Sequence, residues 1–249
     1  MRSREGICAI AVMAKAPQAG RAKTRLVPPL THEEAAAMSA AFLRDVTDNI
    51  ALAARDAPID GWIAYAPAGT EALFDGHLAP GTQIVLADGS RPMPTGVQGF
   101  GRSLLHAVQA LLEAGYGSAC VLNSDSPTLP TRTLSEAADL LAAPGDRAVL
   151  GTAEDGGYYV LGVKAAHARL FEDIAWSTDR VADQTRERAR SIGLELAELE
   201  PWYDVDDHQA LRRLNDELDG RNGAKGYAAP CTAACMDRLG LPGLLRLAG

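Results

Sequence analysis

Short apolar runs alternate with helix-like segments along almost the whole chain, and this alternation limits the fold more than any other feature. Residues 7–13 form an apolar run of strand length. Residues 31–55 read as a helix: Thr31 caps the first turn and Glu34, three residues on, completes a capping box. Residues 61–66 and 83–87 read as strands and 100–114 as a helix stopped by Gly115. Residues 119–122 follow as a buried strand, and 133–142 as a helix capped by Thr133. Two more strands, 147–152 and 158–163, flank Glu154-Asp155-Gly156-Gly157, a tight-turn signal. A charged helix over 181–191, a strand over 194–199 and a helix over 207–218 come next. Residues 220–230 read as a Gly-rich linker and 232–247 as a helical tail.

Strands separated by helices pair in parallel, because each helix returns the chain across the sheet. The late hairpin adds an antiparallel strand. The expectation is an α/β fold with a mixed, mostly parallel sheet and helices on both faces. One nucleotide-binding domain is expected over residues 1–219, with 220–249 as a linker and tail packed on it.

Composition narrows the classes of partner. The formal charge of −8 is a poor match for a chain held to nucleic acid by phosphate contacts, although a local basic pocket suffices for a mononucleotide. No run approaches the roughly 18 apolar residues of a membrane span, and residues 1–10 lack the apolar core and cleavage site of a signal peptide. Cys8 and Cys120 lie in apolar runs and read as small core residues. Cys231 and Cys235, four apart, share a face of any helix, but no second pair follows, which speaks against structural zinc. Reduced thiols fit a cytoplasmic protein. None of His32, His77, His106, His167 and His208 stands near a nucleophile elbow, and all read as surface or boundary residues.

In open α/β sheets ligands bind at the carboxyl ends of the strands. Four segments carry polar groups there. The first, 13–26, is a loop with Lys15, Arg21, Lys23 and Arg25, suited to a polyphosphate or simply a solvated basic loop. It is not a P-loop, because Ala22 stands where glycine is needed before Lys23-Thr24. The second, 121–130, holds Asp125 after a buried strand and before two prolines; this carboxylate either ligates Mg²⁺ or caps a turn. The third, 153–162, offers Glu154 and Asp155 to acceptor hydroxyls or metal, or is a plain hairpin. In the fourth, 202–207, Asp204 and Asp206 alternate and face one side, where paired carboxylates repel unless a cation or proton intervenes. Asp207 reads as the cap of the next helix.

Together, MAKAPQAGRAKTRL (13–26), NSDSPTLP (123–130), EDGGYYVLG (154–162), WST (176–178) and DVDD (204–207) make the chain resemble a known group. It is the GT-A-fold group that includes 2-phospho-lactate guanylyltransferase-like proteins, and within it the nucleotide-diphospho-sugar-transferase-like branch. The resemblance implies a GT-A fold and a transferase using Mg²⁺ or Mn²⁺. It implies phosphate binding by Lys23 with Arg25 nearby, and a nucleotide site that also takes in Lys15, Gly20 and Gly99. Asp125 and Asp206 match the metal ligands, and Asp155, Gly156 and Gly157 the acceptor side. Lys23, Asp125 and Asp155 are the expected catalytic residues. One stretch departs from the pattern: where relatives carry an acidic residue and an Arg, residues 96–103 present Phe100 and Ser103. The expected partners are a nucleotide and a small acceptor, without nucleic acid or membrane. The leading expectation is nucleotidyl transfer from a nucleoside triphosphate to a small phosphorylated or acidic acceptor. Glycosyl transfer from a nucleotide sugar is the alternative, and a non-catalytic nucleotide-binding module the third.

Overall fold

The structure is a computed structural model that describes residues 4–221, 223 and 226–247. Seven strands form one sheet: β1 (Cys8–Ala14), β2 (Ile59–Tyr65), β3 (Gln83–Leu86), β4 (Ser118–Leu122), β5 (Arg147–Ala153), β6 (Tyr158–Val163) and β7 (Glu195–Trp202). Their order is β3-β2-β1-β4-β6-β5-β7. Only β6 runs antiparallel to its neighbours, β4 and β5, as the hairpin pattern predicts. The central strands β1 and β4 are buried on both faces, which is why they read as unbroken apolar runs.

Helices cover both faces. On one, Leu43, Val46 and Ile50 of α1 (His32–Ala53) and Leu134 and Leu141 of α3 (Thr131–Ala142) pack on Ile10, Val12 and Cys120. On the other, Leu104, Leu105 and Val108 of α2 (Phe100–Glu113) and Ala189 of α4 (Val181–Ser191) pack on Ala11, Val121 and Leu161. A third cluster joins Met38 and Phe42 of α1 to Leu211 and Leu214 of α5 (His208–Leu218). It also takes in Cys235 and Met236 of α6 (Pro230–Arg238) and Leu241 and Leu245 of α7 (Leu241–Leu247). Among the described residues no helix is long and apolar enough to cross a membrane.

Local signals explain most boundaries. Thr31 and Glu34 make both bonds of the capping box, at 3.2 and 2.8 Å. Asp207 caps α5 by accepting from the Ala210 amide at 2.8 Å. Other expectations are corrected. Thr133 caps nothing: Pro130 holds the N-cap position of α3, and Thr133 is buried inside the first turn. Strand β7 runs on to Trp202, because a register shift at Gly151 lets Ala153 pair with Trp202. The tail is two helices rather than one, broken at Gly240, whose φ of +67° ends α6. Of the linker expected over 220–230, Asn222, Ala224 and Lys225 lie outside the described residues.

His106 also departs from expectation, being only 6 % exposed. Its Nδ1 accepts from the Gly89 amide at 3.2 Å and pins the loop after β3, and burial lowers its pKa. Cys8 and Cys120 lie in the core as expected, with their sulfurs 3.6 Å apart on adjacent strands.

Candidate active site

The carboxyl ends of β1, β2, β3 and β4 open onto one cleft of about 360 Å³. The first loop forms one wall, with Lys15, Arg21, Ala22, Lys23, Thr24 and Arg25. Ala16 and Ala22 are buried and anchor the loop, while amides of Arg21 and Ala22 bond to the Gln18 carbonyl at 3.0 and 3.1 Å. Gly20 serves this turn with a φ of +73° and is not part of the lining. Ser124, Asp125 and Asp206 form the wall opposite.

Lys23 joins the two walls. Its ammonium lies 2.7 Å from Asp125 Oδ1 and 3.1 Å from Asp206 Oδ1, and it donates to the Val205 carbonyl at 2.7 Å. Its side chain is 6 % exposed, with the Phe42 ring 5.1 Å from the charge. Arg25 lies further out and reaches Asp206 Oδ2 at 3.4 Å. The two carboxylates therefore converge on one point although 81 residues of sequence separate them. The backbone enforces this: the Val205 amide bonds to the Asp125 carbonyl at 2.8 Å, and Ser126 Oγ donates to the Tyr203 carbonyl at 2.8 Å.

A further carboxylate lies close to Asp125 and Asp206. Asp204, which the sequence pairs with Asp206 but to which the resemblance gives no role, has its pKa raised to about 6. Burial is the largest cause, followed by the negative charge of Asp155, then Asp206 and Asp125. Asp155 thus stands within electrostatic reach of Asp204, but neither of these two residues lines the cleft. Converging carboxylate oxygens suit a hard divalent cation such as Mg²⁺ or Mn²⁺, so Asp125 and Asp206 fit the metal the resemblance implies, although Lys23 and Arg25 now pair with them.

The hairpin turn is built differently from expectation. Gly156 has a φ of +88°, and a Cβ there would stand 2.1 Å from the Asp179 carbonyl oxygen. Its glycine is needed for contact with the start of α4, where the Ala182 amide bonds to the Gly156 carbonyl at 3.0 Å. Gly157 donates to Asp155 Oδ1 at 2.8 Å, which fixes that carboxylate in an Asx turn. Glu154 is committed elsewhere: both its oxygens accept from Arg213 of α5. Neither Gly156 nor Gly157 lines the cleft.

The remaining wall is apolar. Met13, Ala64, Ala66, Ala87 and Phe100 are the apolar side chains found here, together with the small polar Ser103. Phe100 is 51 % exposed and meets Trp176 edge-on, with centroids 5.9 Å apart. Trp176 in turn requires the glycine at 101, since a Cβ there would lie 2.8 Å from its ring. Gly99 caps α2 against the same ring, with a φ of +53°, and stays outside the lining. No sequence signal marks the three alanines, two of which lie at the end of β2 and one just after β3.

A second acidic group lies apart from the cleft. Ligand atoms of Asp45, Asp48 and Cys231 fall within 4.8 Å of one another. Asp45 accepts from the amides of Cys231 and Thr232 at 3.0 and 2.6 Å, and Arg44 pairs with Asp48 at 2.8 Å. This group caps α6.

Comparisons with known proteins agree with this architecture. A protein from Desulfovibrio desulfuricans G20, provisionally described as a nucleotide-diphospho-sugar transferase, superposes with a TM-score of 0.77 at 25 % identity, covering 96 % of this chain and 97 % of that one. A cytidylyltransferase from Leptospira borgpetersenii superposes with a TM-score of 0.53 at 10 % identity, over 96 % and 95 % of the two chains. A CMP:2-keto-3-deoxy-manno-octonic acid synthetase complexed with CTP gives 0.51 at 10 % identity, over 86 % and 98 %. The last two show likeness of fold alone. No curated protein sequence matches the chain. The fold is that of the nucleotide-diphospho-sugar transferases and nucleotidyltransferases, as the five motifs imply. Residues 49–178 match the model of a family described as uncharacterized proteins conserved in bacteria, DUF2064, and the chain belongs to that family.

Proposed function

We propose that this protein is a metal-dependent nucleotidyltransferase that moves a nucleoside monophosphate from a nucleoside triphosphate to a small phosphorylated or acidic acceptor. One observation carries the reading: four basic residues of the first loop face Asp125 and Asp206 across a single cleft. A triphosphate brings more negative charge than a sugar diphosphate, and this wall has cations to match.

Lys15, Arg21 and Arg25 hold the phosphate chain on the loop, and Lys23 offsets charge that grows on the leaving pyrophosphate. Asp125 and Asp206 hold Mg²⁺ or Mn²⁺, which when bound polarises phosphate oxygens. The acceptor oxygen attacks the α-phosphorus, and the bond from that phosphorus to the bridging oxygen of pyrophosphate breaks. Asp155, held by the Gly157 amide, orients the acceptor, with Gly156 and Gly157 shaping the turn beneath it.

Glycosyl transfer is the second reading, supported by the description of the Desulfovibrio relative. The two differ in product. Incubation with each of the four NTPs, a panel of phosphorylated and carboxylate acceptors and Mg²⁺ is expected to release pyrophosphate. Release of a nucleoside diphosphate from a nucleotide sugar, without pyrophosphate from any NTP, rejects the first reading in favour of the second.

A further inference from the structure

This inference rests on the reading of Asp125 and Asp206 as metal ligands. The structure already places a cation between them. The Lys23 ammonium has three donors, and three acceptors take them: Asp125 Oδ1 at 2.7 Å, Asp206 Oδ1 at 3.1 Å and the Val205 carbonyl at 2.7 Å. A metal shared by the same carboxylates needs oxygens at about 2.1 Å. Metal and ammonium therefore compete for one volume.

A divalent ion arriving alone must expel a side chain that is 6 % exposed, and it offers that side chain no new partner. A polyphosphate on the first loop does offer one, since its oxygens accept charge-assisted bonds from an ammonium. The backbone favours the exchange as well. Lys23 sits at φ 48° and ψ 38°, a left-handed conformation that costs a residue with a Cβ, and movement of the loop relieves it.

We propose that Lys23 is an internal stopper. It closes the Asp125–Asp206 pair to divalent cations until a polyphosphate draws it away, so that metal and nucleotide are taken up together. Each ligand then raises the affinity for the other by the same factor, as linkage requires.

The test uses the full chain, Mn²⁺ and inorganic tripolyphosphate. Free Mn²⁺ is followed by electron paramagnetic resonance, and stability by thermal unfolding. Lys23→Met and Lys23→Gln are expected to bind Mn²⁺ alone at least about tenfold tighter than the unsubstituted protein, whereas Lys23→Arg, which keeps the charge, is expected to match it. In the unsubstituted protein, Mn²⁺ and tripolyphosphate together are expected to raise Tm by more than the sum of their separate effects. Equal Mn²⁺ affinity in Lys23→Met overturns the proposal. So do strictly additive shifts in the unsubstituted protein, a measurement that decides the matter even if the variants fail to fold. None of these readouts needs turnover. Failure of the stopper leaves pyrophosphate release intact with independent binding, whereas failure of nucleotidyl transfer leaves the coupling intact with no release.

Discussion

Lys23 and Asp125 meet at 2.7 Å across a cleft, one from the loop after β1 and the other from the loop after β4. These strands are neighbours in the sheet, so their carboxyl ends are forced together. The pairing has a consequence for catalysis. Asp125→Asn and Asp206→Asn each leave Lys23 with two acceptors, so both variants are expected to fold. Each removes a ligand of the proposed metal, and a loss of about 100-fold or more in kcat/KM is expected. Pyrophosphate release at fixed Mg²⁺ measures this, with circular dichroism as the check on folding. Unchanged turnover in either variant, or full activity in excess chelator, rejects the metal site.

Asp204 supplies a prediction in pH. Its pKa is raised to about 6 by burial first and by Asp155, Asp206 and Asp125 next. A raised carboxyl pKa means that the folded state binds the proton more tightly than the unfolded chain, whose value is 3.8. Stability linked to this group is therefore present at low pH and is lost as pH rises from about 4 to about 6. Removing the charge reverses the loss. Asp204→Asn is expected to be about 1–2 kcal/mol more stable than the parent at pH 8, allowing for solvent screening of a half-buried group. Urea unfolding at pH 8 and pH 4 reads this out, and the gain should vanish at the lower pH. A variant less stable than the parent at pH 8 contradicts this electrostatic account.

Much of this architecture was legible because it is written locally. The alternation of apolar runs with helical segments predicts the sheet, Thr31 and Glu34 predict the start of α1, and the Glu154–Gly157 run predicts the hairpin whose second strand is antiparallel. The convergence of Asp125 and Asp206 follows only in part from strand ends on one edge, because β6 and β5 separate β4 from β7 and the segment after β7 must cross back to bond its Val205 amide to the Asp125 carbonyl. What sequence reading lost depends on partners far away in the chain. Glu154 reads as a candidate ligand until Arg213 of α5 takes both its oxygens. Thr133 loses the cap position to Pro130, three residues earlier, which offers the first turn no side-chain bond. Lys23 reads as an exposed loop residue whose loss spares the fold. In the structure its side chain is nearly buried, so Lys23→Ala also leaves two carboxylates facing each other. Ala64, Ala66 and Ala87 carry no signal at all, since a small side chain matters only for the space it leaves.

The two turn glycines allow folding and the proposed acceptor role of Asp155 to be tested apart. At Gly156 a Cβ meets the Asp179 backbone at 2.1 Å, and φ is +88°. Gly156→Ala combines backbone strain with a rigid clash and is expected to cost about 2–4 kcal/mol. At Gly157 a Cβ meets only the Asp155 carboxylate, at 3.0 Å. Gly157→Ala is expected to cost less than about 1 kcal/mol, because a side chain can swing aside where backbone cannot. It should still turn Asp155 away from its Asx geometry and raise the acceptor KM with nucleotide affinity unchanged. Equal destabilisation by the two substitutions contradicts the packing account, and an unaltered acceptor KM in Gly157→Ala removes Asp155 from the acceptor side.

Phe100 bears on which part of the proposed nucleotide would occupy the apolar wall. A ring that is 51 % exposed, beside three alanines and a serine, offers a face and no charge. Phosphates gain nothing there, whereas a nucleobase gains stacking area, at about 1–3 kcal/mol per base–aromatic contact. Truncation costs the fold little, because Trp176 touches this ring only edge-on. Phe100→Ala is therefore expected to raise the Kd of the preferred NTP about 5- to 150-fold, which is 1–3 kcal/mol, while Tm stays close to the parent. Tripolyphosphate has no base, and its Kd is expected to be the same in both proteins. Calorimetric titration of the two ligands into the two proteins gives the four constants. If tripolyphosphate weakens as much as the NTP, Phe100 acts through the first loop and the base lies elsewhere. If neither weakens, the apolar wall faces the acceptor, and the same variant should then raise the acceptor KM alone.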